Sequence, residues 1–241
     1  MAKYFFETIK KTNKEKEKKM FIKDMKQLQS FWAEKKDRFS QLNIEELKKV
    51  SFIPFIGSGM SVPFGYPDWK SFLANVINEF VPSEDDNNAE FEKLLICSDF
   101  LKLAEKLNIY LNNSLSEEVR KAFHKNILVR IPKEKNYLYY FKQKNIRKIV
   151  TTNFDEVIES NLAFDAKSIL LPSNLQSAAD VVDSFRTKKD LLIKLHGSYE
   201  DLESIILTET DFNNSYNNSN TALVKTVEYI WNSSVFLFMG C

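Results

Sequence analysis

Short apolar runs, separated by longer stretches of helical periodicity, organise this sequence. Runs rich in Ile, Val, Leu and Phe predict strands at residues 50–56, 147–152, 168–171, 190–195, 205–207 and 235–239. Between residues 69 and 140, apolar positions recur mainly every three to four residues, which indicates helices. Strands that alternate with helical segments favour right-handed crossovers and a parallel sheet. We therefore predict an α/β fold with a helical insertion at about residues 70–145.

The first 48 residues predict a separate helical extension, ahead of a main domain over residues 49–241. Apolar side chains recur at helical spacing between Phe21 and Trp32. Residues 1–50 contain 14 Lys and Arg against 8 Asp and Glu, although the whole chain has a net charge of +1. A basic leader can contact nucleic acid or an acidic partner. Its lysines alternate with Glu15 and Glu17, which favours a salt-bridged, exposed helix, so nucleic-acid binding is not indicated.

Composition excludes several classes of protein. No apolar stretch reaches the roughly 18 residues of a membrane span, and the N-terminus lacks the apolar segment of a secretory signal, so we expect a cytoplasmic protein. The 241 residues include two cysteines, Cys97 and Cys241, and two histidines. They are too few for a four-cysteine zinc site, and we predict that no metal is bound. We expect Cys97 to be a buried apolar residue.

Glycine is scarce and clustered. The chain has 5 glycines, where average usage predicts about seventeen. They occur in the segments GSGMSVPFGYPDW (57–69), KLHGS (194–198) and FLFMGC (236–241). The first cluster follows a predicted strand, and a strand that leads through a glycine-rich turn into a helix can cradle a phosphate on backbone N–H groups. By contrast, the asparagine-rich segment 213–220 predicts a polar surface loop.

Four predicted strands end in polar or glycine-bearing segments. These segments are Gly57–Gly59, residues 151–155 (TTNFD), residues 196–198 (HGS) and residues 240–241 (GC). Ligands of open parallel sheets bind beyond the carboxyl ends of the strands. The four ends therefore predict one site at one edge of a Rossmann-like sheet.

Each signal has a plainer interpretation when it is taken alone. The glycines could form an ordinary tight turn, Asn153 and Asp155 could cap a helix that begins near Glu156, and His196 could be a structural histidine. The combination favours a functional site, because the other histidine, His124, lies in an ordinary helical context.

These segments resemble the sirtuin family. GSGMSVPFGYPDW is similar to the sirtuin segment GAGxS…GxPDF, TTNFD to its TQNxD, KLHGS to its catalytic HG, and FLFMGC to the strand that leads into its GTS or GCS turn. Their order and spacing agree across residues 50–241, and ILTETDF (206–212) resembles a segment of the bacterial anti-phage defence branch. The resemblance therefore implies a sirtuin-like domain that acts on NAD as its substrate.

The same resemblance implies the residue roles. His196 would be the catalytic base, Asn153 would orient the ribose and the attacking water, and Asp155 would contact the nicotinamide carboxamide or its ribose. The implied cofactor-binding residues are Gly57, Ser58, Gly59, Ser61, Pro67, Asp68, Trp69, Thr152, Gly197 and Gly240. Of these, Asp68 and Trp69 would line the nicotinamide pocket, although core packing is an equal alternative for Trp69.

Departures from the family pattern refine the expected activity. The four zinc cysteines of the deacylating sirtuins are missing, Lys70 replaces an arginine frequent there, and the helical insertion occupies the place of the small peptide-holding domain. We therefore expect an NAD glycohydrolase that depletes NAD in anti-phage defence by abortive infection, with a homo-oligomer or a defence-system protein as partner. The alternatives are an NAD or ADP-ribose sensor or scaffold and an NAD-dependent protein deacylase. The sequence stops at Cys241, within the last predicted turn, so we expect the domain to be C-terminally incomplete.

Overall fold

A parallel five-stranded sheet forms the centre of the computed structural model, which describes residues 52–124, 136–175, 177–217 and 221–241. The predicted extension, residues 1–48, lies outside the described residues. The strand order is β3-β4-β2-β1-β5, and every neighbouring pair is parallel. The strands are β1 (Ile53–Ile56), β2 (Lys148–Thr151), β3 (Ile169–Leu170), β4 (Leu191–Lys194) and β5 (Phe236–Met239).

Nine α-helices are described around this sheet within those ranges. Five belong to the predicted insertion, between β1 and β2: α1 (Trp69–Phe80), α2 (Asn88–Ile96), α3 (Phe100–Tyr110), α4 (Leu115–Phe123) and α5 (Tyr137–Gln143). The other four connect the remaining strands: α6 (Val157–Leu162), α7 (Ala178–Thr187), α8 (Glu209–Tyr216) and α9 (Ala222–Ser233). The Rossmann-like α/β fold and its helical insertion are confirmed.

The strand ends lie in register, which is what places the candidate site. Ile56 pairs with Thr151 and with Met239, and Thr151 pairs with Lys194. The last residues of four strands therefore form one row across the sheet, and the segments that follow them leave the sheet at the same edge.

Pro54 lies inside β1 without interrupting the sheet. The amides of Ile53 and Gly57 donate to carbonyls of the β5 segment, and amides alternate in direction along a strand. The nitrogen of Pro54 therefore faces β2, where no N–H is needed, because the β1–β2 register begins only at Phe55. Pairing with β5 continues through Pro54 without a break.

The core is built on both the sheet and the helices that cover it. One buried cluster joins β1, β2 and β4 to helices α5 and α6; it contains Ile56, Phe64, Leu138, Phe141, Ile149, Val157, Ile158, Leu162 and Leu192. At roughly 25 cal/mol per Å² of apolar surface, such burial supplies the main driving force for folding. This buried cluster therefore supports the sheet edge at which the candidate site lies.

Three sequence predictions were wrong. Residues 205–207 are buried but form no strand: one backbone hydrogen bond, from Ile206 to the carbonyl of His196, links them to the sheet region. The predicted polar loop 213–220 begins instead as the last turn of α8, and its Tyr216 is buried. Cys97 is exposed, because it follows the last residue of α2 in a turn that faces away from the core.

Candidate functional site

The glycine segment after β1 and the glycine after β5 are in backbone contact. The amide of Gly59 donates to the carbonyl of Gly240 at 3.0 Å. A Cβ atom on Gly57 would lie 2.4 Å from that same carbonyl oxygen, which is too close for any side chain. Gly57 and Gly240 are therefore required for the close approach of the two strand ends.

Most amides of this segment already have partners inside the protein. Gly57 donates to Met239, Gly59 to Gly240, Met60 to Gly57 and Ser61 to Ser58. The predicted phosphate cradle over Gly57, Ser58, Gly59 and Ser61 stays a prediction. The geometry shows a first, structural reason for the glycines.

Asn153 ties the end of β2 to the glycine segment. Its side-chain Nδ2 donates to the carbonyl of Gly57 at 3.1 Å and to the hydroxyl of Ser61 at 3.0 Å. Its backbone amide donates to the hydroxyl of Thr151, which itself donates to the carbonyl of Ile56. The sequence-based alternative, that Asn153 caps a helix, does not match these contacts. Its Oδ1 is buried and has no partner among the described residues.

Asp155 combines a structural and an electrostatic feature. Its carboxylate accepts a hydrogen bond at 3.0 Å from the amide of Val157, the first residue of α6, but the N-cap position is occupied by Glu156 and has no side-chain cap. The hydroxyl of Ser61, which is also buried, is a hydrogen-bond partner of this carboxylate. Burial raises the pKa of Asp155, an effect that the nearby Lys194 ammonium opposes. Ser61 therefore connects Asn153 and Asp155.

His196 leaves β4 next to Asn153. Thr151 and Lys194 are paired across β2 and β4, and Asn153 and His196 each lie two residues beyond that pair. The His196 ring is buried against Phe212 and Tyr216 of α8, whose ring centroids each lie 6.1 Å from its own. Burial lowers the pKa of His196 to about 4, so the imidazole is neutral at pH 7. Its Nε2 has no partner in the described part of the chain.

A tight turn follows His196. Gly197 has φ of 89°, and a Cβ there would lie 2.3 Å from the carbonyl oxygen of Ser204. The Ser204 hydroxyl accepts from the amide of Ser198 at 3.0 Å and donates to the carbonyl of Asp201 at 2.6 Å. Only glycine fits this position without strain.

Asp68 and Trp69, predicted to line the nicotinamide pocket, lie at the start of α1. Asp68 caps α1, since its carboxylate accepts from the amide of Ser71 at 2.7 Å. Trp69 is buried and packs on Phe72 and Phe154, with centroid distances of 5.9 Å. Core packing therefore accounts for most of its ring, but its Nε1 is buried without a partner in the described ranges.

Two further predicted residues occupy peripheral positions. Pro67 is half-buried ahead of the Asp68 cap. The amide of Thr152 donates to the carbonyl of Ile56 at 3.2 Å, which fixes the start of the loop over residues 152–155.

Sequence reasoning missed Phe212, Tyr216 and Ser204. Phe212 and Tyr216 both pack against the His196 ring, and the Tyr216 hydroxyl donates to the carbonyl of Leu195 at 2.9 Å. Their spacing of four residues, which places both on one helix face, was the available signal. For Ser204 there was no such signal in the sequence, because a single serine before an apolar run is common in loops.

Two negative findings concern the described residues alone. Among them, no three His, Cys, Asp or Glu side chains are grouped as metal ligands. None of their helices is long and apolar enough to cross a membrane.

The carboxyl edge of this parallel sheet carries a histidine, an asparagine and close-packed glycines, and the part of the chain that supplies the histidine and the asparagine is similar to a known family. Residues 147–241 match the family model described as SIR2-like domain. That match covers the Asn153 loop, the His196 turn, α8 and β5.

Two curated relatives share the name NAD(+) hydrolase ThsA. The chain is 25% identical over 202 residues to the protein of Enterococcus faecium and 22% identical over 198 residues to that of Bacillus cereus (strain MSX-D12). Each alignment covers 81% of this chain and 38% of the relative. The chain thus spans little more than a third of the length of the curated relatives it matches.

Proposed function

We propose that this protein hydrolyses NAD+ at the bond between nicotinamide and ribose, releasing nicotinamide and ADP-ribose. The observation that carries the proposal is a set of buried polar atoms without partners at one sheet edge: His196 Nε2, Asn153 Oδ1 and Trp69 Nε1. Each such atom costs about 1–3 kcal/mol when it stays unpaired. A polar ligand bound at this edge would offset that cost. The SIR2-like match and the names of the two relatives support NAD as that ligand.

The chemistry needs little more than orientation and a proton acceptor. Cleavage of the nicotinamide–ribose bond passes through an oxocarbenium-like transition state. Nicotinamide leaves with the bonding electron pair, water adds to the ribose carbon, and one proton is released. His196 is neutral at pH 7, so its imidazole can accept that proton or hold the water or a ribose hydroxyl.

Asn153 and Asp155 supply the orienting contacts in this proposal. The Nδ2 of Asn153 is already engaged by Gly57 and Ser61, which leaves its Oδ1 to accept from the water or the ribose. Asp155, whose pKa is raised by burial, would contact the nicotinamide carboxamide or its ribose. The backbone around Ser58, Gly59 and Gly240 would adjoin the pyrophosphate.

We further propose that the protein acts in the cytoplasm in anti-phage defence, where the loss of NAD leads to abortive infection. A homo-oligomer or a partner protein would provide the trigger. The sequence similarity to the two NAD(+) hydrolases supports the activity, and the ILTETDF segment supports the defence branch.

Nicotinamide release from NAD by the purified protein tests the activity directly. We expect His196→Ala and Asn153→Ala each to lower the rate by about 100-fold or more, the loss typical for a general base or its orienting group. His124→Ala is the matched control, because His124 is the other histidine and is exposed. Calorimetric NAD binding without nicotinamide release would favour the sensor alternative, and full activity of both site variants would refute the residue roles.

A further inference from the structure

A fully buried lysine lies directly beneath the candidate site. Lys194, the last residue of β4, is 1% exposed although it carries a charge. Its Nζ lies 2.6 Å from Oε1 of Glu159 on α6, whose side chain is also largely buried. Buried ion pairs of this kind are costly to desolvate and are weak evidence of a stabilising role. A specific geometric role would explain the pair better.

The other contacts of Lys194 go to the loop that carries Asn153. Its Nζ donates to the carbonyl of Asp155 at 2.7 Å and to that of Phe154 at 3.3 Å. An ammonium group has three donors, and Glu159 with these two carbonyls provides three acceptors. The amide of Tyr199 also donates to the Phe154 carbonyl at 3.1 Å.

We propose that Lys194, held by Glu159, is a positioning residue that fixes the loop over residues 152–155 relative to His196. Lys194 lies two residues before His196 on the same strand. A single side chain therefore sets the distance between the strand that carries the proposed base and the loop that carries the proposed orienting groups. The inference rests on the proposed function, and it assigns Lys194 no contact with the substrate.

The rest of the loop shows why this contact matters. The loop's first half is fixed by bonds to β1 and β2: Thr152 to Ile56, and Asn153 to Thr151. Its second half is held from β4, by Lys194 and Tyr199. Loss of the lysine contacts would release the carbonyls of Phe154 and Asp155 and let the second half shift. A displacement near 1 Å can lower a catalytic rate by about 100-fold.

The deciding variant replaces the whole pair, Lys194→Met with Glu159→Leu. Removing one partner would leave an uncompensated buried charge, whereas replacing both with apolar residues of similar volume is often neutral for stability. The matched control is Lys106→Met with Glu90→Leu, which removes a partly exposed pair (3.1 Å) in the helical insertion. Each protein is measured for thermal midpoint, NAD binding, kcat and KM, and hydrogen exchange of the peptide over residues 152–157.

We expect the Lys194 and Glu159 double variant to fold, with kcat lowered about 10- to 100-fold, KM changed less than about threefold, and faster exchange in the loop. The control pair should leave all of these unchanged. A folded double variant with parental kcat and parental loop exchange would overturn the proposal. If that variant does not fold, Lys194→Arg decides: it keeps a cation beside Glu159, but its planar guanidinium cannot reproduce the three contacts. A lowered kcat then supports the proposal, and a parental kcat overturns it.

Hydrogen exchange separates this inference from the proposed function. If the parent protein releases no nicotinamide, the proposed function fails, yet the exchange of the loop still reports whether Lys194 holds it. If the parent is active and exchange is unaltered in the double variant, the positioning role fails alone.

Discussion

The burial of His196 predicts a measurable dependence of stability on pH. Burial lowers the pKa of His196 from 6.5 to about 4. As the pH falls below 6.5, the unfolded chain binds a proton at this residue that the folded chain does not bind, so acid favours unfolding. Between pH 7 and pH 5 this single residue should lower the free energy of unfolding by about 2 kcal/mol, approaching about 3 kcal/mol below pH 4.

The difference between two variants isolates this contribution. His196→Gln removes the titrating group at the site, and His124→Gln removes the exposed histidine, so the pair accounts for both histidines of the chain. Urea unfolding of the parent and both variants at pH 7, 6 and 5 gives the free energies. Titration of the carboxylates is common to all three proteins and cancels in the comparison.

We expect the parent and His124→Gln to lose about 2 kcal/mol more than His196→Gln between pH 7 and pH 5. The same loss in all three proteins would show that the His196 ring reaches water in the folded state. The reasoning that it is a buried, neutral group would then be refuted, and with it the assignment of a neutral base at pH 7.

Two other predictions concern backbone and packing. Urea unfolding should show that Gly197→Ala lowers the free energy of unfolding by about 2 kcal/mol more than Gly65→Ala does. Both glycines have φ near 90°, which costs about 1–2 kcal/mol for alanine. At Gly197 the added Cβ would also lie 2.3 Å from the carbonyl oxygen of Ser204, whereas Gly65 is exposed. Equal losses would contradict the close approach. Arg147→Lys should lower the free energy of unfolding by about 1–3 kcal/mol, because it removes a two-point contact with Asp190 at 2.7 and 3.0 Å. The kcat should stay parental, because this pair lies at the end of β2 and β4 opposite the candidate site. A large fall in kcat would contradict that separation.

The sheet was predictable because its signals are local. Each central strand is a short apolar run, and the carboxyl ends of β1, β2, β4 and β5 lie within a residue of the predicted ones. The convergence of the strand ends follows from parallel topology alone, since parallel strands share their carboxyl edge. The contact between Asn153 and Gly57 is the structural consequence of that edge.

What the sequence did not reveal depends on contacts between distant segments. Residues 205–207 have the composition of a strand, but no strand in the described ranges pairs with them, and tertiary context overrides local propensity. In the sequence, Lys194 is a charged residue near the end of an apolar run, which predicts an exposed side chain. Its burial depends on Glu159 and two carbonyls that only the folded chain brings near.

Helix α8 shows how composition can hide a functional element. Asparagine and serine dominate residues 213–220, and such composition normally indicates a loop. The capping box of Thr208 and Asp211 nevertheless starts a helix, and its polar residues face solvent while Phe212 and Tyr216, four positions apart, face His196. Periodicity was therefore a better guide than composition, because burial is decided by the face on which a side chain lies. The same two aromatic rings pack against the His196 imidazole, whose burial lowers its pKa, so a segment with the composition of a surface connection contributes to the environment of the proposed base.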